Sequence, residues 1–270
     1  MKKLVCLALA LALLLALGAC GSSSASSGAG AAASSDSDSA YVKSNGKLIV
    51  GITEFEPMDF QDASGNWVGF DADMAAAFAK SLGVDVEFQV IDWDNKVFEL
   101  DGKTIDCVWN GMTLTDEVKS AMACSNPYFD NAQVVVVPAA KAADYQDKDA
   151  VKSLNFAVES GSSGQAEAEA LGAGFTEVGD QATALMEVAT GSADAAIIDI
   201  LMAMAMTGEG TSYADLTYTV SLNSENYGVG FRKGSDLAGA LNDFFKSSYA
   251  DGSLQACAEK YGIADALIAQ

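Results

Sequence analysis

Four short segments of this 270-residue chain gather side chains suited to holding a small solute. They are residues 54–58, which are acidic and aromatic, and residues 110–113, with an amide, a glycine and a hydroxyl. The other two are the serine- and glycine-rich turn 160–164 and the single acid Asp199. Each follows an apolar run that reads as a buried strand, where a plain connection could have had any composition. With no histidine in the chain, Ser-His and Cys-His nucleophiles are excluded, and the commonest metal ligand is missing. Cys107, Cys124 and Cys257 match no zinc spacing and allow at most one disulfide. No metal and no cofactor are expected.

Positioning such segments requires strands alternating with helices, and the chain supplies them. Residues 47–53 read as a buried strand and 62–65 as a turn. Asp71 is suited to cap a helix to Leu82, with Met74, Phe78 and Leu82 on one face and Gly83 ending it. Strands follow at 84–88, 105–109 and 134–137, with a short helix at 96–100. The alternation restarts at Val151, with a strand at 155–158, the turn 160–164 and a helix through Leu171. Asp180 caps a helix to Thr190 that Gly191 closes, and a strand at 194–198 ends on Asp199. Met202, Met204 and Met206 read as core packing on a helix, with ligand contact as the alternative. A strand at 227–231 and helices at 236–250 and 253–260 complete the chain. Two successive sets of β/α units imply two α/β lobes with open sheets, whose ligands sit at the carboxyl ends of strands.

The first forty residues follow other rules. Met1-Lys2-Lys3 is a positive n-region, and the apolar run 4–17 is short for a bilayer span, which needs about 20 residues. The run ends in Leu17-Gly18-Ala19-Cys20, which resembles a bacterial lipobox and implies removal of residues 1–19 and acylation of Cys20. A plain secretory signal with an incidental cysteine is the alternative. Residues 21–40 are almost wholly Gly, Ser and Ala, the composition of a flexible tether reaching roughly 25 Å. Removing Lys2 and Lys3 takes the formal charge from −22 to −24. So acidic a body repels phosphate backbones and anionic lipid, which argues against nucleic acid. An anionic ligand would need a local cationic exception.

The order of motifs resembles a family. Val50-Gly51-Ile-Thr-Glu-Phe55-Glu-Pro57, then Gly69-Phe70-Asp71-Ala-Asp73, Asp92-Trp93-Asp94 and Asn110-Gly111-Met112-Thr113-Leu114-Thr115, are similar to the polar amino-acid solute-binding proteins of ABC transporters. Ser125-Asn-Pro127-Tyr128, Ser160-Gly161-Ser162-Ser163, Gly191-Ser-Ala-Asp194 and Tyr227-Gly228-Val-Gly230-Phe231 continue the likeness. The resemblance spans residues 45–265. It implies an α/β, two-lobed periplasmic-binding-protein type II fold with two crossover hinge strands. Lobe one would be 41–130 with 228–270, and lobe two 131–227.

The resemblance also implies roles. Phe55 would stack on the ligand side chain and Trp93 wall the pocket. Asn110, Gly111 and Thr113 would offer polar groups from lobe one. Ser162 and Ser163, at a helix N-terminus, would take a carboxylate, and Asp199 the α-ammonium. Each has a plainer reading: Phe55 and Trp93 as core aromatics, 160–164 as a turn and cap, Asp199 as a helix N-cap, and Glu54 and Glu56 as solvated rim charges. One departure matters. The family's carboxylate-binding arginine falls at Val118, and the only arginine in the chain, Arg232, reads as part of a surface strand end. Lys119 is a neighbour, but an ammonium is not a guanidinium fork. Either a ligand carboxylate is held by Ser163 and backbone N–H groups alone, or the ligand is not an ordinary α-amino acid; with acids at Asp199 and Glu54, a cationic or zwitterionic solute is expected rather than an anion. The chain is expected to act as a monomeric, lipid-anchored receptor on the extracytoplasmic face, delivering an amino-acid-like solute to a membrane permease and not acting as an enzyme. A dehydratase-like or sensory protein on the same fold is the alternative.

Overall fold

The computed structural model describes residues 37–270. The expected signal peptide, Cys20 and most of the expected tether lie outside the described residues. The tether nevertheless ends earlier than its composition suggests. Ser37 caps α1 (Asp38–Asn45), its hydroxyl accepting the Ala40 N–H at 3.1 Å. Residues 38–40 are therefore helix, because long-range partners override a linker-like composition.

Two five-stranded sheets and a pair of crossing strands organise the rest. After α1 come β1 (Lys47–Ile52), a small hairpin of β2 (Phe60–Gln61) and β3 (Trp67–Val68), α2 (Phe70–Leu82) and β4 (Asp85–Val90). Then follow α3 (Lys96–Asp101), β5 (Cys107–Val108), α4 (Asp116–Ala121) and β6 (Ala123–Cys124). The chain crosses on β7 (Phe129–Asn131) into β8 (Gln133–Pro138), α5 (Lys148–Val151), β9 (Asn155–Glu159) and α6 (Ser163–Leu171). It continues through β10 (Gly174–Val178), α7 (Gln181–Thr190), β11 (Ala195–Asp199), α8 (Ile200–Met206) and β12 (Leu216–Ser221). It returns on β13 (Glu225–Tyr227) to β14 (Gly230–Phe231), α9 (Leu237–Ala250) and α10 (Ser253–Lys260).

The first sheet has the order β4-β1-β5-β14-β6 and the second β10-β9-β11-β8-β12. In both, a parallel core receives antiparallel strands on one side. β7 and β13 pair antiparallel, Phe129 opposite Tyr227 and Asn131 opposite Glu225, and they are the connections between the sheets. This is the two-lobed α/β fold with two crossover strands.

Burial explains the strands that carry the site. β1, β8, β9 and β11 have near-continuous apolar runs because helices cover both faces. In β9 and β11 the polar residue, Glu159 or Asp199, comes at the strand's C-terminal end, where the sheet opens, and the antiparallel β8 brings its first residue, Gln133, beside Asp199. Lobe one is filled by Trp109, Phe78, Tyr128, Phe70 and Phe245, with Phe70 stacked on Tyr128 and the others in edge and tilted contacts. Met202 is buried, whereas Met204 is 54% exposed, so the methionine run is only partly core.

Two polar expectations are corrected. Arg232 is not at the surface: it is 7% exposed. Its Nη2 donates to Asp106 Oδ1 at 3.0 Å, its Nη1 to the Ile105 carbonyl at 2.7 Å, and its Nε to Asp38 at 3.1 Å. Asp71 does not cap α2, which starts from Gly69. It is fully buried, and its Oδ2 accepts from the Gly111 N–H at 2.7 Å and the Tyr128 hydroxyl at 2.8 Å. Periodicity locates a helix start to within a residue or two, and here the acid just inside it is turned inward to support a loop of the site. The cysteines Cys107, Cys124 and Cys257 are free.

Candidate functional site

A cavity of about 540 Å³ lies between the carboxyl ends of the two sheets, and all eight residues singled out from the sequence line it. Phe55 and Trp93 are 2% and 7% exposed, so they are buried and face the cavity at once. Trp93 begins a short turn leading into α3, and Phe55 follows β1. Gly111 makes room for Phe55. Its φ is +55°, and a Cβ there would lie 2.5 Å from the Phe55 ring.

The polar groups of lobe one are more committed than the sequence suggests. Asn110 is 2% exposed, and its side chain is consumed by the scaffold. Its Oδ1 accepts from the Thr53 N–H at 3.0 Å and hydroxyl at 2.9 Å, while its Nδ2 donates to the Thr53 carbonyl at 3.0 Å and Asp59 at 2.8 Å. The Gly111 N–H is held by Asp71. The Thr113 hydroxyl donates to Glu225 at 2.8 Å. Val118 also lines the cavity, packed with Trp93, Met112 and Met122, and Lys119 is exposed outside it.

Lobe two brings a helix start and two acids. Ser162 caps α6, its hydroxyl accepting the Gln165 N–H at 3.1 Å. The Ser163 hydroxyl donates to Glu225 at 2.7 Å. Asp199, 3% exposed, stands at the end of β11. It occupies the cap position of α8 but makes no side-chain cap bond. Its carboxyl instead accepts from Gln133 at 2.9 Å, Tyr227 at 2.8 Å, Asn131 and Gln181. Burial, with the Glu225 charge nearby, raises its pKa to about 7.

The sequence reading missed four residues. Glu159 ends β9 as Asp199 ends β11; it is 3% exposed, lines the cavity, and its Oε1 has no hydrogen-bond partner. Burial, with Asp199 and Asp180 near, raises its pKa to about 8. Gln181 faces the cavity at the start of α7 and bonds both the side chain and the N–H of Asp199. Glu225, on the crossing strand β13, accepts from Thr113 of lobe one and Ser163 of lobe two, and also from Asn131 and Gln133. Lys96 opens α3, is 9% exposed, and lies three residues after Trp93 with its ammonium 5.0 Å from that ring's centroid. The signal for Glu159 was available: it is an acid directly after an apolar strand, the same pattern that singled out Asp199.

The lobes touch at the mouth. Lys96 Nζ donates to the Gly161 carbonyl at 3.0 Å and the Trp93 carbonyl at 3.1 Å. Gly161 has φ +70°, and a Cβ on it would lie 2.6 Å from the Asp94 Cα, so only glycine permits this approach. Six acids and one base line the cavity among the described residues, so the space favours a cation unless Lys96 is engaged.

Comparisons with known proteins agree with this architecture. The family model for bacterial extracellular solute-binding proteins, family 3, matches residues 48–264. The L-cystine-binding protein TcyJ of Escherichia coli (strain K12) is 30% identical over 228 residues, 83% of this chain and 85% of that protein. The arginine-binding extracellular protein ArtP of Bacillus subtilis (strain 168) is 30% identical over 224 residues, 80% of this chain and 86% of that one. Among solved structures, the ancestral amino acid-binding protein AncCDT-1, a precursor of cyclohexadienyl dehydratase, aligns with a TM-score of 0.76 and 30% identity. That alignment covers 83% of this chain and 99% of that one. Two sheets joined by two crossing strands, a cavity between them and a family match along most of the chain agree: this protein belongs to the bacterial extracellular solute-binding proteins of family 3.

Proposed function

We propose that this protein is the receptor of an ABC importer for an amino acid with a cationic or zwitterionic character. The observation that carries this reading is the cavity whose lining brings together the buried acids Asp199 and Glu159 and the rings of Phe55 and Trp93. Asp199 takes the α-ammonium, the two rings sandwich the side chain, and the N–H groups of Ser163 and Gly164 at the start of α6 receive the carboxylate, with Ser162 holding that helix start through its cap and through its own N–H on the Glu159 carbonyl at 3.2 Å. Gly111 and Thr113 complete the lobe-one edge, and Asn110 acts by holding that edge in shape. The relatives support the class: one is named for cystine and one for arginine, both amino acids with a second ammonium or a guanidinium.

Closure follows from differential contact. A solute touching both walls stabilises the arrangement in which Lys96 meets Gly161, and bending is absorbed at β7 and β13. The closed form is what a membrane permease would read. Acylation at Cys20 would keep the receptor on the extracytoplasmic face; no helix among the described residues is long and apolar enough to cross a membrane. A thermal-shift screen of the twenty amino acids plus ornithine and cystine tests the binding reading, since a ligand in excess of its dissociation constant raises the melting temperature. Stabilisation by none of them would overturn it. Mass spectrometry of the membrane fraction, with Cys20→Ser as control, tests the anchor.

A second reading has one observation behind it: Asp199 and Glu159 titrate at about 7 and about 8, the range in which carboxyls donate and accept protons. Dehydratase-like catalysis on this site predicts that a bound solute is converted. Recovery of the solute unchanged after prolonged incubation, followed by NMR, separates the two readings.

A further inference from the structure

The arginine that would clamp a carboxylate is replaced by Val118, and the cavity is otherwise strongly acidic, so an amino acid bound here leaves its carboxylate with no guanidinium to meet. We propose that Lys96 is the specificity-determining cation of this receptor: its ammonium binds the carboxylate of the solute, so that the site distinguishes an amino acid from the corresponding amine. This rests on the reading that the cleft binds amino acids.

Four observations carry it. Lys96 is the only lysine or arginine lining the cavity among the described residues, and it is nine-tenths buried. An ammonium has three donors, and the structure accounts for two of them, on the Trp93 and Gly161 carbonyls. Neither acceptor is charged, and no carboxylate lies within ion-pair distance of Lys96 among the described residues. A lysine buried without an anion is costly unless a partner arrives. Finally, Lys96 and Val118 line one cavity, and the Trp93 that carries the ammonium over its ring packs in the same apolar cluster as Val118. Burial pushes the Lys96 ammonium below its ordinary range, while Glu159, Asp94 and Glu117 draw it back up. In place of water, its Nζ has two carbonyls and an aromatic face.

The two carbonyls also explain why the charge sits at position 96. One belongs to lobe one and the other to the lobe-two turn 160–164, immediately ahead of the start of α6. A carboxylate at the α6 start therefore has lobe-two N–H groups on one side and a lobe-one ammonium on the other. Engaging it joins the lobes. Lysine at this place does from the mouth of the cleft what an arginine at position 118 would do from its wall.

The test uses three pairs of probes that differ only in carboxylates, by one in L-arginine and agmatine and in L-histidine and histamine, and by two in L-cystine and cystamine. Titration calorimetry on the full chain gives each affinity. The wild-type protein is expected to bind at least one amino acid a hundredfold or more tightly than its amine. Lys96→Met is expected to lower the affinity for that amino acid at least thirtyfold and change the amine less than threefold, whereas Lys96→Arg keeps the preference. A thermal melt establishes that each variant is folded. In the Lys96→Met background, Val118→Arg is expected to restore part of the preference. The proposal is overturned if Lys96→Met weakens amine and amino acid equally, which marks a latch alone, or if it changes neither. It is also overturned if the wild type binds amine and amino acid alike or binds none of the three amino acids; the amino-acid reading itself falls with it only if the wider thermal-shift screen also finds no ligand.

Discussion

Two places in lobe one bury a cation in a chain of net charge −22, and they treat it in opposite ways. Behind the sheet, Arg232 is bonded to two carboxylates and two carbonyls, with Asp106 in turn accepting the Ile49 N–H at 3.0 Å. In the cleft, Lys96 meets two neutral carbonyls and a ring, and opposite it Glu159 keeps an oxygen with no partner. The first arrangement is complete and asks nothing of a solute. The second is complete only when something enters. Of these two buried cations, the one paired with carboxylates belongs to the architecture and the one without an anion belongs to the cleft.

Substitutions that separate stability from binding put this contrast at risk. The largest expected effect is on stability: Arg232→Met strands Asp106 and Asp38, and removing one partner of a buried pair costs about 3–5 kcal/mol. Urea unfolding measures it, and affinity per folded molecule should stay unchanged. Next comes Asp199→Asn, which removes a charge-assisted partner worth about 1.5–3 kcal/mol, so a cationic amino acid should bind at least tenfold more weakly by calorimetry. Gly161→Ala should weaken binding by about tenfold, because a left-handed alanine costs roughly 1–2 kcal/mol and its Cβ would press on Asp94. Its opened cleft should appear as a larger radius of gyration in solution scattering with ligand present.

The smallest effect is in pH. Asp71 and Asp199 titrate at about 7 and Glu159 at about 8 in the fold, each raised by burial, against about 4 when unfolded. Between those values the folded chain holds more protons, so this contribution to stability is full below about pH 4 and is lost as pH rises through 7 to 8. The solute-free protein should melt several degrees higher at pH 5.5 than at pH 8.5. A cationic solute needs Asp199 ionised, so its affinity should fall as pH drops below about 7. Binding at pH 6 should release protons, detectable as a dependence of the calorimetric heat on the buffer.

Much of this was legible in the residues, for reasons that are local. Apolar runs ending in a polar residue located β1, β9 and β11, and with them Phe55 and Asp199 at the strand ends. Cap chemistry located α7, with Asp180 accepting the Thr183 N–H and Gly191 closing the helix. The strand at 227–231 was read as one element and is two, β13 and β14, because a crossover between lobes has no periodic signature. Arg232 and Glu225 were missed for a different reason. Their partners lie 126 and 112 residues away in Asp106 and Thr113, and no window along the chain contains both ends. Lys96 was within reach: if Trp93 faces a pocket, the residue three positions on along the helix shares its side.

Helix α1 has a mechanical consequence. Ser37 donates to Asp236 at 2.6 Å, the Ser39 N–H binds the same carboxyl, and Asp38 pairs with Arg232. All three grips are on lobe one. A pull applied at residue 37 is thus borne by one lobe and never runs through the crossing strands. If the chain is held through the proposed anchor at Cys20, the proposed opening and closing of lobe two would be insulated from that hold.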